Sequence, residues 1–192
     1  MQCKLVLRGN GSLYLDGNNW SIPQLETVRN RIKKVTDVVK IEQGYMASAI
    51  LRSNGEVIGW AGYDLLETLS QGRKFVDIAA SGAMVGALDT EGNVSIWKRE
   101  GVVPLPEERL EKGYAIRASG NLFAIQKADG SWRAWQVYQP NSPAKPESAQ
   151  QKIHTLGPAV DLLFLADPNG MHDAVLWLEP AGKKGNSAET PQ

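Results

Sequence analysis

The sequence predicts an all-β fold, a β-propeller of about five short repeat units giving four to five blades. Three observations predict it. A polar turn with glycine, followed by a short apolar strand ending on tryptophan, occurs as SNGEVIGW at 53–60, TEGNVSIW at 90–97 and ADGSWRAW at 128–135. The copies extend upstream without gaps, and their turn glycines Gly55, Gly92 and Gly130 lie 37 and 38 residues apart. A period near 40 with several short strands per period is the mark of propeller blades. Within each copy apolar residues stand on both faces of the strands, as expected of small sheets sandwiched between neighbours.

The chain opens on an irregular unit, LVLRGNGSLYLDG from Leu5, with Gly11 as its turn glycine and Asp16 where the tryptophan belongs; its first strand is missing. NNWSIPQLETVRNRIKKVTD follows, in which Leu25, Val28, Ile32 and Val35 recur at helical spacing, Ser21 is near an N-cap and Pro23 near a first turn. This predicts one peripheral helix. The basic run Arg29 to Lys34 is read as its solvated face, since the rest of the chain has no basic stripe.

The three regular units run from Val39 to Trp60, Val76 to Trp97 and Tyr114 to Trp135, each read as three strands. The first strand is β-branched and apolar, as in Val39-Lys40-Ile41. The second alternates, with Ala47, Ala49 and Leu51 on one face and Ser48, Ile50 and Arg52 on the other. Glycine closes the following turn because it accepts positive φ without steric penalty. The third strand ends on Trp60, Trp97 or Trp135, read as packing against the next blade. Residues 138–152, rich in proline, serine and lysine, read as an exposed loop. A last irregular unit, AVDLLFLADPNGMHDAVLW from Ala159, is aligned with Gly170 as turn glycine and Trp177 as the terminal tryptophan. Residues 1–181 are thus read as one propeller domain and 182–192 as a disordered tail. Pairing of the N- and C-terminal strands into one composite blade is expected to close the ring and hide two sheet edges. A closed ring predicts a compact monomer; an open arc predicts an oligomer or a partner at the exposed end.

The pattern V-x-I-x-x-G-x-x-x-S-x-x-L-x-x-x-G-x-V-x-x-W, carried by Val39, Ile41, Gly44, Ser48, Leu51, Gly55, Val57 and Trp60, resembles the regulator of chromosome condensation repeat family. The resemblance covers about residues 38 to 136. It departs where family repeats carry histidine, here Ala47, Met84 and Leu122, and where glycine follows the tryptophan, here Ala61, Lys98 and Gln136. The resemblance implies a propeller scaffold and, through beta-lactamase inhibitor proteins built on such repeats, functions as close-fitting as enzyme inhibition. The guanine-nucleotide exchange of the founding member is not carried over, because its functional residues have no match here.

Basic and acidic residues balance at 21 each, so no global field draws the chain to nucleic acid or anionic membrane. Cys3 is the only cysteine, which excludes an internal disulfide, a multi-thiolate zinc site and a CxxC pair, and suits a reducing, cytoplasmic setting. The start has no apolar run long enough for a signal peptide or membrane span. G-x-S-x-G, the phosphate loop and the dinucleotide fingerprint are all missing. His154 and His172, the only histidines, sit in different units and read as ordinary surface or structural residues. Asp77, Asp89, Asp161 and Asp167 are scattered over repeat positions with nothing that favours a carboxylate pair. The chain is therefore expected to have no enzyme activity, cofactor or metal.

The expected function is a protein-binding module, an inhibitor, immunity-type protein or assembly adaptor, in which a regular frame carries irregular connectors that suit one asymmetric partner. The candidate contact residues are Tyr45, which stands in an inter-strand turn where the other units have Gly82 and Gly120, with Trp132, Arg133 and Tyr138. Trp132 replaces Val57 and Val94 of the other copies and is read both as core packing and as an interface anchor. The alternative is a lectin-like propeller binding a small ligand or carbohydrate. A multivalent sugar site needs like residues at like positions, yet Arg52, Asp89 and Lys127 share one column and Glu56, Asn93 and Ser131 another.

Overall fold

The computed structural model describes residues 4–9, 11–16, 26, 30–61, 64–65, 72–98, 101–102, 112–137, 153–156, 161–165 and 174–178. They form five antiparallel sheets. Blade 1 is the hairpin β1 (Lys4–Leu7) and β2 (Leu13–Asp16). Blade 2 is β3 (Val38–Gln43), β4 (Ala47–Arg52), β5 (Val57–Ala61) and β6 (Asp64–Leu65). Blade 3 is β7 (Phe75–Ser81), β8 (Met84–Asp89), β9 (Val94–Lys98) and β10 (Gly101–Val102), and blade 4 is β11 (Ala115–Ser119), β12 (Leu122–Gln126), β13 (Trp132–Gln136) and β14 (Ile153–Leu156). Blade 5 is β15 (Asp161–Leu165) and β16 (Ala174–Leu178). The fold is an all-β propeller.

The four turn glycines share one geometry. Gly11, Gly55, Gly92 and Gly130 have φ of 77°, 80°, 84° and 79°, and each N–H donates to the carbonyl three residues back, on Arg8, Arg52, Asp89 and Lys127. This is a tight turn closed by a left-handed glycine, the conformation that bars a Cβ.

Three core clusters coincide with three seams between blades. Leu5 of blade 1 packs with Ile50, Ile58 and Trp60 of blade 2, roofed by Ile32 and Val35. Ala49, Leu51 and Val57 of blade 2 pack with Phe75, Ile78, Val85, Ala87 and Trp97 of blade 3. Met84, Leu88, Val94 and Ile96 of blade 3 pack with Ile116, Phe123, Ile125 and Trp135 of blade 4. Each tryptophan seals a seam, and in every case it is the seam with the preceding blade. At Gly86 a Cβ would lie 2.6 Å from the Phe123 ring, so the missing side chain makes room for the next blade's aromatic.

Four expectations change. The regular blades have four strands rather than three, the connectors supplying β6, β10 and β14 as outer strands. The N- and C-terminal strands do not pair with one another among the described residues; β1 and β2 form one sheet, β15 and β16 another. Trp177 lies in β16 and pairs with Leu162, and β15 lies beside the innermost strand β11, so these are a first and a second strand rather than a unit ending on tryptophan. Of the helix, Asn30, Arg31 and Ile32 are helical and so is Glu26; Val35 lies just past the helix end, its N–H donating to Ile32 O, and is buried with Ile32. Leu25, Val28, Gly170 and the tail lie outside the described residues.

Candidate functional site

Antiparallel order puts the turn glycines of each blade at one end, together with the start of its innermost strand. That strand does not enter its ladder smoothly. In blade 2 Val38 pairs with Arg52 and Lys40 with Leu51, leaving Val39 as a bulge; in blade 3 Phe75 pairs with Asp89 and Asp77 with Leu88, leaving Val76 as a bulge. Tyr114 holds the same place in blade 4, its N–H donating to Gln126 O ahead of the Ala115 to Gln126 pair. A bulged residue is turned out of the pleat. Val39, Val76 and Tyr114 are accordingly 57%, 53% and 64% exposed although all three are apolar or aromatic. The innermost strands β3, β7 and β11 lie side by side, so the three side chains form a row on one face of the arc.

The rim around this row is charged but neutralised internally. Arg52 pairs with Glu56 at 2.5 Å and with Asp37 at 3.7 Å, and its Nε donates to Thr36 O. Asp37, just ahead of β3, has φ of 58°, a left-handed conformation that aspartate tolerates better than most side chains, and its carbonyl accepts from Ser53 N. Arg73 bonds Asp89 at 2.7 Å and Ser95 Oγ at 2.8 Å while lying over the Phe75 ring. Burial of Asp89 works to raise its pKa, but donors from Arg73, the Asn93 N–H and side chain, and the Glu91 N–H outweigh it and hold the carboxyl below the ordinary 3.8. The Ser131 hydroxyl and N–H hold the Asp129 carboxyl low as well.

Beneath the row lies a node that links three blades. Asp77 accepts from Lys40 Nζ of blade 2 at 2.7 Å, and from Ile116 N at 2.9 Å and Arg117 at 3.2 Å in blade 4. Lys40 also donates to Ile78 O and pairs with Glu42. These contacts fix the spacing of the three innermost strands.

The structure does not gather the four residues singled out from the sequence. Tyr45 is 63% exposed, beside the exposed Met46, at the tip of the β3–β4 turn on the opposite face. Trp132 is fully buried at the column shared by Leu13, Val57 and Val94, each in the seam with the following blade, and the Arg117 guanidinium lies 5.9 Å from its ring centroid. Of its two readings, core packing is therefore the one that applies, and it is no surface anchor. Arg133 is half-buried in β13, paired with Ile125 and Thr155. Tyr138 lies outside the described residues. The row at Val39, Val76 and Tyr114 was missed because each residue read as the opening of an apolar strand. Its signal is the column itself, three large apolar residues ahead of a position filled by Lys40, Asp77 and Ala115.

Among the described residues no group of three or more His, Cys, Asp and Glu could hold a metal ion, and no helix is long and apolar enough to cross a membrane. No family model matches the chain, and no curated protein does. Solved structures do. Human WBSCR16 superposes with a TM-score of 0.53 at 17% identity, over 78% of this chain and 48% of that one. The CRINKLY WD40 ectodomain of the Arabidopsis thaliana receptor kinase ACR4 gives 0.50 at 19% identity, over 91% and 59%. Yeast RCC1 (Prp20), from a complex with Kap60, gives 0.42 at 18% identity, over 77% and 41%. The chain thus spans about half the length of these three structures, and its fold is the repeat propeller that the sequence resemblance implies.

Proposed function

We propose that the chain is a non-enzymatic protein-binding module whose contact surface centres on the row Val39, Val76 and Tyr114. One observation carries this reading: three successive blades turn a large apolar side chain into solvent at the same repeat position, a bulge in blades 2 and 3, on strands held at fixed spacing by the Asp77 node. Single exposed apolar residues are ordinary on any surface, but a row of them around one edge is a place where burial by a partner is favourable. Tyr114 is the natural anchor, since tyrosine combines large contact area with few rotors. The neutralised rim favours a partner that brings an apolar protrusion over one that brings phosphates.

The rim also counts against a repeated sugar pocket, because the hairpin charges differ from blade to blade and are engaged with one another. A rigid frame with one asymmetric patch fits an inhibitor, an immunity-type protein or an assembly adaptor, acting in the cytoplasm. The test is affinity capture from a source lysate with the wild-type chain, a V39S/V76S/Y114S variant and a Y45S/M46S variant. One stoichiometric protein should appear with the wild type and the Tyr45 variant and be lost with the triple variant. A partner that survives the triple substitution and leaves with Tyr45 would move the site to the other face and refute this one.

A further inference from the structure

We infer that what covers the row is an acidic, apolar linear segment of a partner protein, whose carboxylates are received by Lys74 and Lys112. This rests on Val39, Val76 and Tyr114 being the contact surface and names the chemistry of what binds there. The charges of the rim divide into two sets. Asp37, Glu56, Asp89, Glu91 and Asp129 each accept from a cation, an amide or a hydroxyl of the chain itself. Lys74 and Lys112 are exposed, and among the described residues neither ammonium is paired.

The two lysines hold one position of the repeat, Lys74 two residues ahead of Val76 and Lys112 two residues ahead of Tyr114. Their stems are held alike. A Cβ on Gly55 would lie 3.1 Å from Lys74 Cδ, and one on Gly92 3.0 Å from Lys112 Cβ, so each stem packs on the turn glycine of the preceding blade and leaves its charge to solvent. The third member of the column is Asp37, ahead of Val39, where two carboxylates share Arg52. The uncompensated charge is therefore positive beside Val76 and Tyr114 and negative beside Val39. A partner carboxylate over blades 3 and 4 meets an ammonium without a competitor, while its apolar neighbours cover the row. A nucleic-acid strand fits less well. The guanidiniums of Arg52 and Arg73, the forks that grip phosphate in two places, already hold carboxylates.

Selection of a phage-displayed library of random linear peptides on the immobilised whole chain tests this. Enriched peptides should join acidic residues to large apolar ones. K74M/K112M, which keeps both stems and removes both charges, should bind them about five- to tenfold more weakly, the loss of two exposed ion pairs. K74Q/K112Q should match it, which separates charge from stem packing, and the difference from wild type should vanish in about 0.5 M salt. Peptides that need the row, as judged by V39S/V76S/Y114S, but are uncharged or basic overturn this inference and leave the contact surface standing. Acidic peptides that bind K74M/K112M as tightly as the wild type overturn it too. Peptides indifferent to the triple serine variant overturn the contact surface itself. A wild type that enriches no peptide also overturns the inference, and its retention of a labelled single-stranded oligonucleotide would assign the two lysines to phosphate instead.

Discussion

Gly44→Ala tests the seam between blades 2 and 3 at a single atom. A Cβ built on Gly44 would lie 2.7 Å from Ser81 Cα, 2.8 Å from Ser81 C and 2.9 Å from Gly82 N. All three are backbone atoms of the neighbouring blade, so no side-chain rotation relieves the contact. Carbon pairs rest at about 3.5–4.0 Å, so the two hairpins must part by close to an ångström. Overpacking of this kind costs about 1–3 kcal/mol. Parting them also stretches the 2.7 Å bond from Met46 N to Gly82 O, worth about 1 kcal/mol. The expected loss is therefore roughly 2–4 kcal/mol. Two other glycines separate sterics from conformation. Gly11→Ala has open space but φ of 77°, and should cost about 1–2 kcal/mol from the left-handed backbone alone. Gly9→Ala has open space and no positive φ, and should be neutral or stabilising by up to about 1 kcal/mol. Urea denaturation read by tryptophan fluorescence gives the three midpoints. If Gly44→Ala unfolds with the midpoint of Gly9→Ala, the hairpins do not abut and the seam is wrongly drawn.

Other substitutions probe the node and the rim. Asp77→Ala removes the acceptor shared by Lys40, Ile116 N and Arg117 and should cost about 2–3 kcal/mol, because a buried N–H loses its acceptor while two cations each lose one of their partners; Asp77→Asn should recover part of it in the same urea assay. Asp89 sets an acid limb. Its folded pKa lies below the unfolded 3.8, so the unfolded chain takes up the proton first. The stabilisation is complete above about 3.8 and fades as pH falls toward the folded value; Asp89→Asn should lower stability at neutral pH and flatten the loss below pH 3.8, and an unchanged acid limb would show that Arg73 and Asn93 do not hold the charge.

The repeat was legible because its cause is local. Glycine at a left-handed turn and tryptophan at a strand end are demands that one blade makes on its own sequence, and Gly55, Gly92 and Gly130 meet them at a fixed period. What was not legible depends on neighbours. The outer strands β6 and β10 are two residues long, too short for any periodicity, and β14 joins its blade after the long proline-rich connector. Their strand character comes from the open edge of β5, β9 or β13. The bulges at Val39 and Val76 are equally silent, since an extra residue in a ladder is defined only by its partner strand. Trp177 misled because DPNG offers a turn like SNG and TEG, while Val160-Asp161-Leu162, the better guide, repeats the opening of a blade.

The seams connect the fold to the candidate site. Two of them are stitched at both ends: Phe75 N to Gly55 O and Gly113 N to Gly92 O on the face of the apolar row, and on the other Met46 N to Gly82 O between blades 2 and 3 and Ser81 Oγ to Gly120 O between blades 3 and 4. Between the stitches the apolar contacts of each cluster join only adjacent blades, so stability accrues from neighbour to neighbour, as in other repeat proteins. A row such as Val39, Val76 and Tyr114 takes one member from each blade, and its geometry is the sum of two seams. Asp77 spans both, reaching Lys40 in one direction and Ile116 in the other from a single carboxylate. The repeat thus supplies the frame, and the charged node of Asp77, Lys40 and Arg117 holds the three innermost strands, and with them the exposed side chains, in register.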